Sequence, residues 1–167
     1  MAKWQTLLHF CGAKTSLQGN FTLNDSSKLH HNKDRGLIKM RGFLIHSTDD
    51  GRVPAFEYLP AEGLVPKIGM ALCMADGTLS MAGATVVPQY ISMCEKDKAC
   101  EAGEEIPVIR VGADIIFGAE SEEDMAAVNV GDKVTLSADA MGVTATTASG
   151  VAEVVGKVED EVRVRFV

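Results

Sequence analysis

"VNVGDKVTLSADAMGVTATTASGVAEVV", residues 128–155, is the most regularly patterned stretch of the chain, and its pattern specifies shape. Gly131-Asp132 leads into a segment in which Val134 and Leu136 share one face while Thr135 and Ser137 share the other. That two-residue alternation belongs to a pleated strand. "DAMG" (139–142) carries turn residues, "VTATT" (143–147) returns, and "SG" (149–150) turns the chain again. "VAEVVGKV" (151–158) then leads through Glu159-Asp160 into "VRVRFV" (162–167), where Val162, Val164 and Phe166 face one way and Arg163 and Arg165 the other. Residues 128–167 therefore predict a four-stranded C-terminal meander. Strands of this half-apolar kind suit a small closed barrel or a sandwich, architectures that limit bare sheet edges.

Working outward, strand and turn signals recur. Phe43–His46 and Val53–Leu59 flank Asp49-Asp50-Gly51 and predict a hairpin, with Pro54 restricting the start of its second strand. Ile68–Met74 and Thr78–Met81 flank Ala75-Asp76-Gly77 and predict another, around the stronger Asp-Gly signal. Val86, Tyr90 and Ile91 suit a strand interrupted at Pro88. Ile106, Val108, Ile109 and Val111 form one apolar run, and Ile115–Phe117 another. "ESEEDMAAV" (120–128) offers a single helical turn, too short to anchor a helical fold. The expected fold is mainly β, a small closed barrel or sandwich with little helix, in one domain spanning residues 40–167.

The remaining N-terminal part has a different texture. "SLQGNFTLNDSSKLHHNKDRG" (16–36) is polar and without sustained periodicity, which predicts a poorly ordered arm over residues 1–39. The charge is divided to match: residues 1–39 carry a net +4 and residues 40–167 a net −11. A second reading makes residues 1–39 translated leader, because codons for "KDRGLIKM" can supply a purine-rich ribosome-binding signal just ahead of Met40. Intact mass of the protein made from its native gene separates the two, since a leader leaves a product beginning at Met40.

Composition excludes several classes of function. At 167 residues, 46% apolar and 23% charged, the chain suits one globular domain with a sizeable core. Only 5% of residues are aromatic, which leaves few rings for base stacking, and a net charge of −7 repels phosphate backbones. No nucleic-acid partner is expected. Apolar runs fall short of the roughly 20 residues of a membrane helix. Near the N-terminus Gln5, Thr6 and His9 break the apolar centre that a signal peptide needs. Neither membrane insertion nor signal-directed secretion is expected. Cys11, Cys73, Cys94 and Cys100 lack Cys-x-x-Cys spacing, so thiols in a reducing compartment are expected; Cys94 and Cys100 flank a loop short enough to close on oxidation.

Reactive constellations are sparse. His46 lies near Ser47, Asp49 and Asp50, but adjacent residues of an extended strand point to opposite faces and assemble no triad by themselves. His9, Cys11, His30 and His31 have zinc-binding side chains, yet their spacing matches no finger. "EAGEE" (101–105) and "ESEED" (120–124) lack the alternating ligands and central Gly of an EF-hand loop and suit a solvated acidic face. The Gly-rich segments match no phosphate-binding fingerprint. No catalytic residue, metal or cofactor is expected. Met70, Met74, Met81 and Met93 suit core filling rather than an adaptable binding surface. Arg110, Arg163 and Arg165 are the candidate partner-facing residues; in an acidic body they are expected to pair with carboxylates or face another protein.

"FEYLPAEGLVPKIGMALCM", "IPVIRV", "VNVGDKVTLSADAMGVTATTASGVAEVVG" and "VRVRF", taken in that order, resemble head decoration, or auxiliary capsid, proteins of tailed phages and prophages of gut Firmicutes. The resemblance spans residues 40–167 and rests on the order of the phrases. It implies a non-enzymatic virion component that binds the outside of a capsid shell, with the major capsid protein as partner and a homo-oligomer, a trimer in form, as its assembly. The implied location is the virion, or the bacterial cytoplasm during assembly. It carries over no catalytic residue. Two other classes stand beside it: a β-barrel interaction module such as a tail or fibre piece, and a small ligand-binding barrel or enzyme whose site assembles from distant residues.

Overall fold

The computed structural model describes residues 41–121, 123–158 and 161–167. The expectations for the N-terminal arm or leader, and for His9, Cys11, His30 and His31, lie outside the described residues. Ten strands follow in order: β1 (Leu44–Thr48), β2 (Phe56–Pro60), β3 (Ala71–Ala75), β4 (Thr78–Met81), β5 (Tyr90–Ser92), β6 (Glu105–Arg110), β7 (Ile115–Glu120), β8 (Lys133–Val134), β9 (Ala152–Val158) and β10 (Glu161–Phe166). No helix occurs among the described residues, and "ESEEDMAAV" begins at the last residue of β7 and, where described, continues as a bridge residue, turn and loop.

The strands form two antiparallel five-stranded sheets, ordered β1-β7-β10-β9-β8 (sheet A) and β2-β6-β5-β3-β4 (sheet B). Both remain open, so the architecture is a sandwich and not the closed barrel that was its alternative. Sheet B curls until Thr78 Oγ1 of β4 donates to the Pro60 carbonyl of β2 at 3.2 Å, but no backbone ladder joins those edges.

One expectation fails where the chain changes sheets. Asp49–Gly51 does turn, with the Gly51 amide donating to the Thr48 carbonyl, but β1 pairs with β7 and β2 with β6. The predicted hairpin is thus a crossing between sheets. Thr48 Oγ1 holds the Arg52 carbonyl at 2.8 Å, and Pro54 has no N–H with which to continue a ladder. The Asp76-Gly77 hairpin forms as expected: φ is 51° and 81° at its two central residues, and β3 pairs with β4 in register from Ala75↔Thr78 to Leu72↔Met81.

The C-terminal meander has three strands, not four. "VTATT" (143–147) forms none, because its backbone bonds are divided among several partners. The Val143 amide donates to Glu120, the Thr144 amide to Thr135, and the Thr146 carbonyl accepts from Thr135. Neighbouring groups reach sheet B, with the Leu136 amide on Ala84 and the Ala140 carbonyl on the Ala71 amide. Residues 135–146 therefore stitch the two sheets together. Asp139 organises the bend by accepting from Ser137 Oγ at 2.6 Å and from the Met141 amide at 3.0 Å.

One core serves both sheets. Phe43, Phe117 and Phe166 meet at its centre, with ring centroids 5.1 Å apart for Phe43–Phe166 and 5.4 Å for Phe117–Phe166. Leu72, Ile91, Ile106, Val108 and Val154 surround them. Met70 is buried and Met74 and Met93 pack against the core, as core filling predicts, whereas Met81 is exposed. Sheet A keeps a clean alternation, with Ile115, Phe117 and Ala119 inward on β7 and Val162, Val164 and Phe166 inward on β10. Sheet B buries residues of both parities, such as Ala71 with Leu72 and Val108 with Ile109, so its middle is covered on both faces.

Two backbones approach closely where the chain entering β1 crosses the chain entering β3. Gly42 and Gly69, at φ 116° and 82°, lie against each other: a Cβ on Gly69 would sit 2.7 Å from the Phe43 nitrogen and 2.8 Å from the Gly42 Cα. Gly69→Ala is expected to destabilise by about 2–5 kcal/mol in urea denaturation, from left-handed strain plus overpacking. Gly63→Ala, at φ 74° but with open space around the added Cβ, is expected to cost only about 1–2 kcal/mol.

Candidate interaction surface

The three arginines singled out in the sequence occupy two different places. Arg163 and Arg165 lie on β10 of sheet A, and Arg110 lies on β6 of sheet B. They form no single basic strip: Arg110 and Arg165 meet carboxylates from distant segments, and Arg163 meets Glu161 of its own strand.

On sheet A the outer face carries a connected row of charged groups. A bulge in β1 between Ile45 and Ser47 leaves His46 opposite no single residue of β7 and turns it outward, where its Nδ1 lies 3.6 Å from Glu161 Oε1. The same Glu161 oxygen is 3.5 Å from Arg163 Nε. Arg163 is registered between Gly118 of β7 and Gly156 of β9. Gly118 leaves room for Glu161 to lie flat, since a Cβ there would be 2.9 Å from Glu161 Oε1, whereas a Cβ on Gly156 would make an ordinary 3.5 Å contact with Arg163 Cδ. Arg165 reaches Asp49 Oδ1 through an NH2 at 3.5 Å, while its Nε is covered and finds no acceptor among the described residues. His46 thus lies beside Glu161, while Asp49 is paired with Arg165.

Sheet B presents a different arrangement at its β2 edge. Arg110 forms a two-pronged clamp on Glu57, Nε to Oε1 at 2.8 Å and NH2 to Oε2 at 2.9 Å. Its guanidinium also sits 5.1 Å from the centroid of the Tyr90 ring, directly across the β5–β6 ladder. Hydrogen bonding from Arg110 holds the Glu57 carboxyl below its ordinary range and raises Arg110. On the opposite side of β2, Phe56 and Tyr58 are 40% and 63% exposed, with Val53 exposed just before them.

The acidic clusters are engaged locally. Glu104 pairs with Lys96, a bond that lowers the Glu104 carboxyl and raises the Lys96 ammonium. Glu123 Oε2 accepts from the Ala145 amide at 2.7 Å and Asp124 Oδ1 from the Ala126 amide at 2.9 Å. Among the described residues no group of three or more His, Cys, Asp and Glu converges on a metal position. Cys73, Cys94 and Cys100 form no disulfide, and no described helix is long and apolar enough to cross a membrane.

Glu57, Glu161, Gly118 and Gly156 are the surface residues that sequence reasoning missed. The isolated glycine inside "IIFGAE" carries a usable signal, since a strand glycine marks close approach. Glu57 carries none, standing 53 residues from Arg110. The chain matches no protein-family model, and no curated protein matches it.

The Glu57–Arg110 clamp has a defined pH signature. Because the Glu57 carboxyl titrates lower in the folded chain than in the unfolded one, its contribution is present above the ordinary glutamate range and is lost as pH falls through the lowered value. The stability difference between the wild type and Glu57→Gln, measured by urea denaturation, is therefore expected to shrink between about pH 6 and about pH 3.

Proposed function

We propose that this chain is a non-enzymatic structural protein of a phage-like particle, binding the outside of a capsid shell through the outer face of sheet A. The major capsid protein is its partner. The observation that carries the proposal is the row His46–Glu161–Arg163 with Asp49–Arg165, in which Glu161 lies flat over Gly118 on a solvent-facing sheet. Charges fixed on a rigid, pleated surface give register and specificity to a protein contact more than raw affinity. They are also already neutralised in pairs, so a partner meets a patterned face instead of an acidic one. The phrases that resemble head decoration proteins supply the identity of the partner; "FEYLP", "IPVIRV" and "VRVRF" fall on β2, β6 and β10.

The purified full chain is expected to co-sediment with expanded heads of its own phage. Replacing both Arg163 and Arg165 by Glu is expected to lower that binding at least about tenfold. The fold should survive, since surface ion pairs contribute only about 0–1 kcal/mol each. No binding of the wild type to heads, or undiminished binding of the double variant, contradicts the proposal.

A further inference from the structure

The edge of β2 away from β6, which β4 approaches at its Pro60 end, leaves Phe56 and Tyr58 open to a second strand. In an extended strand the N–H and C=O of one residue point to the same side, so the partners of β6 show which groups of β2 face outward. The Pro107 carbonyl accepts from the Met93 amide and the Val111 amide donates to Gln89, which directs residues 107, 109 and 111 toward β5. Phe56 is registered opposite Ile109 and Tyr58 opposite Pro107. Phe56 and Tyr58 therefore turn both backbone groups away from β6, toward the open edge. Neither makes a backbone hydrogen bond across that edge among the described residues.

The same parity places Pro60 on this edge, and Pro54 stands two residues before the strand begins. Neither proline has an N–H, and the Pro60 carbonyl already accepts from Thr78 Oγ1. The edge between them offers two donors and two acceptors, all on Phe56 and Tyr58. A second β2 running antiparallel about a two-fold axis through Glu57 places Phe56 opposite Tyr58 of the second copy, and Tyr58 opposite its Phe56. Residues opposed in that way exchange both N–H···O bonds, so all four groups are satisfied with none left over. The flanking prolines stop the ladder there.

We infer that β2 pairs with β2 of a second copy of this chain, joining two sheets B into one continuous sheet. The side chains are consistent with this partner. Phe56 and Tyr58, exposed in the single chain, come together from both copies as cross-strand aromatic pairs on one face. On the other face the two Glu57 carboxylates are brought opposite each other, an arrangement that repels unless each is neutralised. The two-pronged bond from Arg110 supplies that neutralisation within each copy. The pairing is independent of the capsid-binding face, which lies on sheet A.

Sedimentation of the full chain over a concentration series tests the inference, together with hydrogen exchange at the Phe56 and Tyr58 amides. A reversible dimer is expected, with exchange at those two amides slowing as concentration rises. Tyr58→Lys places a charge on the edge and is expected to weaken association at least about thirtyfold, four hydrogen bonds being at stake, while urea stability stays close to wild type because the side chain is exposed. Arg110→Ala is expected to weaken the dimer by exposing the two Glu57 charges to each other, and adding Glu57→Gln is expected to restore it. A monomer throughout the series overturns the inference. So does an oligomer whose concentration dependence Tyr58→Lys leaves unchanged.

Discussion

Where Gly42 and Gly69 cross, two backbones approach more closely than any side chain allows, and the Phe43 amide donates to the Gly69 carbonyl at 2.8 Å. Gly69 also donates to Ser92, so the crossing extends the β3–β5 ladder of sheet B. The next residues of the other chain enter β1 of sheet A. This contact ties the entry to sheet A to the entry to sheet B, and it places Phe43 beside Phe166 in the aromatic centre that also holds Phe117. Moving the two backbones apart would withdraw Phe43 from the Phe166 ring. The stitch at residues 135–146 makes a second connection through Leu136 and Ala140, so the sheets are joined by backbone bonds as well as by apolar contact.

The two sheets offer different surfaces because their curvature differs. Sheet B curls and buries residues of both parities in its middle, which leaves its chemistry at the rim: the Glu57–Arg110 clamp, the Tyr90 ring beneath it and the aromatic edge of β2. Sheet A alternates cleanly and keeps an outer face for charge. Both surfaces consist of paired charges and backbone groups in fixed positions. This suits contact between proteins, in which pattern and shape select the partner, and it accounts for an acidic chain that holds its arginines in defined ion pairs.

Alternation in "VRVRFV" and the Asp-Gly turn at 76–77 are local properties, set by side-chain period and by backbone sterics at positive φ, and both were legible from the residues alone. So were the β class and the inward set Val162, Val164 and Phe166. Assignment of strands to sheets was not. The turn at Asp49–Gly51 looks like a hairpin because turn chemistry fixes only a reversal of a few residues, while the partner of each strand is chosen by core packing tens of residues away. "VTATT" has the composition of a strand, but tertiary hydrogen bonds to Glu120 and Thr135 claim its backbone. The candidate arginines were visible as residues, whereas the distant partners Glu57 and Asp49 were not, because an ion pair across 53 or 116 positions leaves no periodic trace. Sequence by itself determined which side chains face inward and where the chain can reverse, since both follow from neighbours within a few residues. Only the tertiary structure decided which sheet each strand joins and which charges meet, because those depend on filling one core from two sheets at once.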